Sequence, residues 1–162
     1  MEKSILLEGK KTETEILVFK AGGNYYGVKL DTIREILPYD KKPTLIPNAH
    51  PLIEGIIMPR DFLIPIIDLV KALKLSDIDD LKSEMLIVTS INNLNIAFHV
   101  DSVSGIHRLT NTDLSMHGKK LSTSVKGVVK GIFNWGDKKI ELLEFRKIIT
   151  EINPEVDLGS WE

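Results

Sequence analysis

"GIIMPRDFLIPIIDLVKAL", residues 55–73, lies without a gap on "GIFNWGDKKIELLEFRKII", residues 131–149, when the chain is shifted by 76 positions. Gly55 meets Gly131, Asp61 meets Asp137, Asp68 meets Glu144 and Lys71 meets Lys147, with apolar on apolar at most remaining core positions. At a shift of 70, "GVKLDTIREI" (27–36) falls on "AFHVDSVSGI" (97–106). There Asp31 meets Asp101, Thr32 meets Ser102, Ile33 meets Val103 and Ile36 meets Ile106. Two matches in the same order identify an internal repeat. The change of shift from 70 to 76 places an insertion in the second copy, near 107–126. Two similar β subdomains follow, about 16–75 and 84–150, each small for a stable core of its own and therefore sharing one.

Short apolar runs separated by turn dipeptides fill both copies. "ILVFK" (16–20), Gly22-Gly23 and "YYGVKL" (25–30) read as one hairpin. "MLIVT" (85–89), Asn92-Asn93 and "IAFHV" (96–100) read as a second, and "KGIFN" (130–134), Gly136-Asp137 and "KIELL" (139–143) as a third. Helical signals are fewer. Asp68 can cap a turn bearing Leu69, Ala72 and Leu73, and Phe145, Ile148, Ile149 and Ile152 follow helical spacing until Pro154. The polar stretch "SDIDDLKS" (76–83) reads as a connector, 1–15 as a lead and 154–162 as the start of a linker or tail. The expected fold is mostly β, with short helices and a C-terminal helix.

Composition narrows the function. The 162 residues are 43% hydrophobic and 27% charged, ordinary for a globular domain. A net charge of −2, with lysines and arginines scattered, offers no stripe to neutralise a phosphate backbone, so no nucleic-acid partner is expected. Absence of cysteine excludes disulfides, thiolate metal sites and cysteine nucleophiles. The N-terminal stretch "MEKSILLEGKKTETE" lacks the apolar segment of a signal peptide, and no run approaches a membrane span. A cytoplasmic protein without direct membrane insertion is expected.

Arg60 and Asp61 interrupt an otherwise apolar stretch. Pro59 sits where a type I turn accepts it, at the second position of Met58-Pro59-Arg60-Asp61, and Asp61 then falls where a left-handed residue is needed. Turn geometry accounts for a polar residue there but not for an arginine, because the matching position in the second copy is Gly136. Glu35 presents the same case. Thr32 to Glu35 fits a capping box, and the second copy keeps Ser102 but has Gly105 in place of the glutamate. The shared fold therefore requires neither Glu35 nor Arg60, and both capping and partner binding stay open for Glu35.

Enzyme constellations are missing. His50, His99, His107 and His117 are dispersed and lack the spacing that puts two imidazoles on one helical face. His99 is opposite in phase to Ile96, Phe98 and Val100, which reads as a hydrogen-bonded or exposed strand histidine. No nucleophile elbow, phosphate loop or dinucleotide fingerprint is present. Asp77, Asp79 and Asp80 lack the glycine and closing glutamate of a calcium loop. Trp135, at a turn tip, reads as a packing residue. No metal and no cofactor is expected.

"YGVKLDTIREIL" (26–37), "IPNAHPLIEGIIMPRDFLIPIIDL" (46–69), "IAFHVDSVSGIHRL" (96–109) and "EFRKIITEINPE" (144–155) together resemble the CheW-like domain of bacterial chemotaxis over nearly the whole chain. The "EGII" segment, "AFHVDSVSGIHRL" and the closing "INPE" are most similar to the CheV subgroup, in which a receiver domain follows. The resemblance implies two SH3-like five-stranded β-barrels around a common hydrophobic core, spanning 16–153. It implies a non-catalytic adaptor, cytoplasmic and at receptor arrays, that couples the cytoplasmic tips of chemoreceptors to the regulatory domain of the CheA histidine kinase. Glu35 and Arg60 match family positions implicated in receptor and assembly contacts, and Ile33 and Val103 match apolar positions of the receptor groove. The family's usual Leu-Arg-Gly hairpin is here Pro59-Arg60-Asp61, which stiffens and acidifies the tip. Two alternatives stand beside the adaptor. One is the regulatory module of a larger kinase. The other is a small β-barrel enzyme or ligand carrier using His99, His107 and Asp101.

Overall fold

The computed structural model describes residues 13–76, 84–115 and 120–152. Among these residues ten strands form in chain order: β1 (Glu13–Ala21), β2 (Asn24–Lys29), β3 (Ile33–Pro38), β4 (Ile53–Ile57), β5 (Ile64–Asp68), β6 (Met85–Ile91), β7 (Leu94–Val100), β8 (Ser102–Thr110), β9 (Val129–Trp135) and β10 (Lys138–Leu143). Among the described residues two short α-helices, α1 (Leu69–Ala72) and α2 (Phe145–Ile152), follow β5 and β10. The expected hairpins are all present. Gly22, Gly23, Asn92 and Asn93 each have positive φ, the backbone that lets a two-residue turn match the twist of its strands. Asp68 caps α1 as expected, accepting from the Lys71 amide at 3.1 Å. The residues before 13, the run holding Asp77, Asp79 and Asp80, His117 and the tail from 153 lie outside the described residues.

The strands assemble into two five-stranded sheets, ordered β8-β1-β2-β10-β9 and β3-β6-β7-β5-β4. The two orders are one order with the copies interchanged. Each copy gives its first hairpin to one sheet and its third strand and second hairpin to the other. The copies join at the parallel contacts β10 with β2 and β5 with β7, and at the antiparallel contacts β8 with β1 and β3 with β6. Neither sheet is therefore made from one half of the chain alone.

Burial follows from this exchange. Leu17, Phe19 and Ala21 of β1 face a core between the sheets, while Ile16 and Val18 face a smaller core inside their own sheet. Strand β6 divides likewise, Ile87 and Ile91 facing the shared core and Leu86 and Val88 the inside of the other sheet. Strands buried on both faces lose the apolar–polar alternation, hence the unbroken "ILVF" of β1. Phe145 at the start of α2 stacks on Phe98 of β7 at 3.9 Å and lies 6.2 Å from Phe19 of β1, joining both sheets through one ring.

The repeat extends to the irregularities. Between β4 and β5 the register shifts at Glu54, leaving it as a bulge before Gly55, and between β9 and β10 it shifts at Lys130, before Gly131. Past each bulge a connecting segment crosses the edge strand, bridging Thr44 to Ile56 in one copy and Ser115 to Ile132 in the other. A side chain at Gly55 would place its first carbon 2.6 Å from the Thr44 carbonyl oxygen, so only glycine lets that segment approach.

Candidate functional site

The residues singled out from the sequence lie on the third strand of each copy and on the β4–β5 connection. In β3 the register shifts between Ile33, opposite Thr89, and Glu35, opposite Val88, so Arg34 is a bulged residue. In β8 the corresponding shift leaves Ser104 bulged between Val103, opposite Phe19, and Gly105, opposite Val18. Ile33 and Val103 are half-buried and both pack against the shared core, one from each sheet.

Beyond its bulge β3 turns Glu35 toward the β4–β5 connection. Arg60 grips it with a fork: Nη1 donates to Oε2 at 2.8 Å and Nη2 to Oε1 at 2.7 Å. These hydrogen bonds hold the Glu35 carboxyl below the usual carboxylate range. A second contact runs the opposite way, with the Arg34 guanidinium 4.8 Å from the Phe62 ring centre, and Arg34 Nη1 also donates to Asn95 Oδ1 at 3.5 Å. Two reciprocal cation contacts thus fix the connection over β3. Arg34 and Phe62 were not singled out from the sequence; the exposed aromatic three residues beyond Pro59 was the available signal.

Two expectations are corrected here. Asp61 is not among the residues with positive φ, and 58–63 is a six-residue connection between Ile57 and Ile64 rather than a tight turn. With that length available, no left-handed residue is required. Nor does Glu35 cap Thr32. Leu30–Thr32 is a single 3₁₀ turn, the Thr32 hydroxyl donates to the Lys29 carbonyl, and Glu35 is already in a strand, engaged by Arg60. The position matching Thr32, Ser102, begins β8 and caps no helix.

Beside the fork the surface is apolar. Met58 and Leu63 of the same connection are 60% and 62% exposed, and Phe62 is exposed as well. Met58 and Leu63 border a cavity of about 480 Å³ between the ends of β3 and β4, whose wall includes Leu37, Tyr39 and Ile57. The matching place in the other sheet is filled by aromatic rings. His107 stacks on Phe133 at 5.5 Å and leans on Trp135 at 5.3 Å, and Trp135 packs against the inner core as expected.

His99 is hydrogen-bonded, one of the two readings its phase left open. Its Nδ1 lies 2.7 Å from Glu54 Oε2 and its Nε2 2.5 Å from Glu84 Oε1, while the Tyr39 hydroxyl donates to Glu54 Oε1 at 2.7 Å. Burial alone would push the imidazole down, but the two carboxylates outweigh it and hold its pKa above the ordinary value. Burial likewise works against the Glu54 carboxylate, and the bonds from His99 and Tyr39 overcome it, leaving its pKa below the ordinary value. His99, His107 and Asp101 are not gathered into one site. His107 is held by Phe133 and Trp135 in the other sheet, and Asp101 accepts from the Gly23 amide at 3.3 Å. Among the described residues no group of three or more acidic or histidine side chains could hold a metal ion, and no helix is long and apolar enough to cross a membrane.

Two five-stranded β units on a common core are what the sequence resemblance implied, and residues 15–153 match the CheW-like domain family. The chain belongs to that family. Chemotaxis protein CheW of Thermotoga maritima is 30% identical over 142 residues, covering 86% of this chain and 90% of that protein. Chemotaxis protein CheV3 of Helicobacter pylori is 27% identical over 161 residues, covering 91% of this chain but 51% of that protein. The crystal structure of the scaffolding protein TtCheW from Thermoanaerobacter tengcongensis superimposes with a TM-score of 0.78 at 25% identity, covering 91% and 94% of the two chains. This CheW-like chain is a chemotaxis adaptor domain, and its two five-stranded sheets are the SH3-like pair of that fold.

Proposed function

We propose that this CheW-like chain works as a non-catalytic scaffold, in the cytoplasm at receptor arrays, that couples the cytoplasmic tips of chemoreceptors to the regulatory domain of a CheA-type histidine kinase. Family membership supports the adaptor role. The observation that carries the assignment of its working surface is the Arg60–Glu35 fork set beside exposed Met58, Phe62 and Leu63. Exposed apolar side chains around an oriented arginine are the usual makings of a protein-binding surface. On this reading Glu35 orients Arg60, the guanidinium's remaining N–H donors meet a partner's carboxylate or carbonyl oxygens, and the apolar tip supplies contact area. Ile33 and Val103 form the apolar receptor-facing positions, one from each sheet.

Titration calorimetry with a receptor cytoplasmic fragment and, separately, the kinase regulatory domain tests this. Arg60→Ala should leave the circular dichroism spectrum and melting temperature nearly unchanged while weakening at least one partner roughly thirtyfold, the scale of an interface anchor. Wild-type affinity of the variant for both partners would reduce Arg60 to a surface residue of the connection.

A further inference from the structure

The internal repeat makes one half of the molecule a control for the other. In one copy the bulged Glu54 of β4 bonds His99 at the end of β7, an anion against a cation across the mouth of a sheet. The matching positions in the other copy are Lys130, the bulged residue of β9, and Lys29, at the end of β2. Two cations stand where the first copy has a bonded acid–base pair. Both border one cavity of about 360 Å³ whose floor includes Ile91, Leu114, Leu142 and Phe145. Among the described residues neither lysine has an ionic partner. Three other charges share the rim. Glu144 is engaged by Arg146 at 3.5 Å, which leaves Asp31 as a single carboxylate against two ammonium groups.

The geometry points to an anion-binding site, not part of the partner surface described above, that takes a carboxylate carrying a short apolar group between Lys29 and Lys130. In the other copy Glu54 gives one oxygen to His99 and the other to the Tyr39 hydroxyl; here the bound carboxylate stands in for that missing anion and gives one oxygen to each ammonium. Its hydrocarbon part lies against the half-buried Leu114, since Ile91, Leu142 and Phe145 are already almost wholly buried. A volume of about 360 Å³ is at the small end of ligand pockets, which fits a short aliphatic or aryl acid, or one acidic side chain with an apolar neighbour. A lysine pair open to solvent binds weakly, so the dissociation constant falls in the millimolar range.

Amide chemical shifts of the full chain are followed during titration with hexanoate, with hexanol as the uncharged control. Hexanoate should shift the amides of β2, β9 and the first turn of α2 saturably; hexanol should not. Lys29→Gln and Lys130→Gln should each weaken binding several-fold. Lys130→Glu is the sharper variant, because it rebuilds the acid–base pair of the other copy. It should raise the melting temperature and abolish binding. A short peptide with glutamate between two leucines, compared with its glutamine counterpart, separates the sources. Tighter binding than hexanoate assigns the site to a partner's acidic side chain, and equal or weaker binding to a free carboxylate. Equal shifts with hexanol, saturable binding by neither acid, or undiminished binding by the Lys130→Glu variant would overturn the site.

Discussion

Replacing His99 with glutamine removes the group that holds Glu54 and Glu84 together across three segments of one sheet. Each ring nitrogen faces a carboxylate oxygen, at 2.7 Å and 2.5 Å. A neutral imidazole has one N–H and one lone pair, so only the imidazolium satisfies both contacts. The sign of the pH dependence follows. His99 has a folded-state pKa above its unfolded value, so its contribution is complete below about pH 6.5 and is lost as pH rises through the folded pKa. Glu54 has a depressed folded-state pKa, so its contribution is complete above its ordinary value of 4.5 and is lost as pH falls through the folded pKa. The network is strongest between those limits. Removing one member of a fully buried pair costs roughly 3–5 kcal/mol. Here the side chains of His99, Glu54 and Glu84 are 16%, 19% and 32% exposed, so water recovers part of that. A cost of about 2 kcal/mol near pH 6 is expected for His99→Gln, or roughly 4–8 °C in melting temperature for a domain of this size. At a pH above the folded-state pKa the wild-type ring keeps a single N–H contact, and the difference shrinks to about 1 kcal/mol or less. Thermal melts of both proteins from pH 5.5 to 9 measure the gap, and taking the difference cancels the other histidines. A gap that does not shrink as pH rises through the NMR titration midpoint of His99, or a midpoint at or below the ordinary histidine value, would overturn the imidazolium assignment.

The remaining predictions concern backbone and core. Gly55→Ala forces a carbon to 2.6 Å from the Thr44 oxygen and should cost about 1–3 kcal/mol in a denaturant melt. Gly131→Ala meets the movable Leu114 side chain at 3.1 Å and should cost less; equal losses would mean that the Thr44 segment yields as easily as a side chain. Asp61→Gly should lower stability by roughly 0.4–1 kcal/mol, because Asp61 lacks positive φ and glycine only widens the unfolded ensemble. A gain by the same measure would restore the tight-turn reading of 58–61. Ile33→Asp should lower stability by about 2–3 kcal/mol as well as weaken receptor binding, since Ile33 packs against the shared core. An unchanged melting temperature would place Ile33 wholly on the partner side.

The local pieces of this protein can be read from its residues in order. Hairpins at Gly22-Gly23, Asn92-Asn93 and Gly136-Asp137, the Asp68 cap and the Phe145–Ile152 helix depend on propensities and bonds within a few residues, which a linear string displays. The repeat was legible for the same reason, since equal local requirements leave equal residues, Gly55 and Gly131 above all. Glu35 and Arg60 stood out as residues the shared fold does not demand. Their partnership did not, and local rules paired Glu35 with Thr32 instead. It takes the folded chain to bring Arg60 to Glu35, Arg34 over Phe62, and Glu54 and Glu84 onto His99. These contacts join residues 15 to 45 positions apart, whose meeting is fixed by strand order rather than by neighbours in sequence. Strand order was itself a tertiary decision. Each copy could have paired its own five strands. The exchange instead buries both faces of β1 and β6 and closes one core from both copies, a gain in burial that exists only when the whole chain is folded.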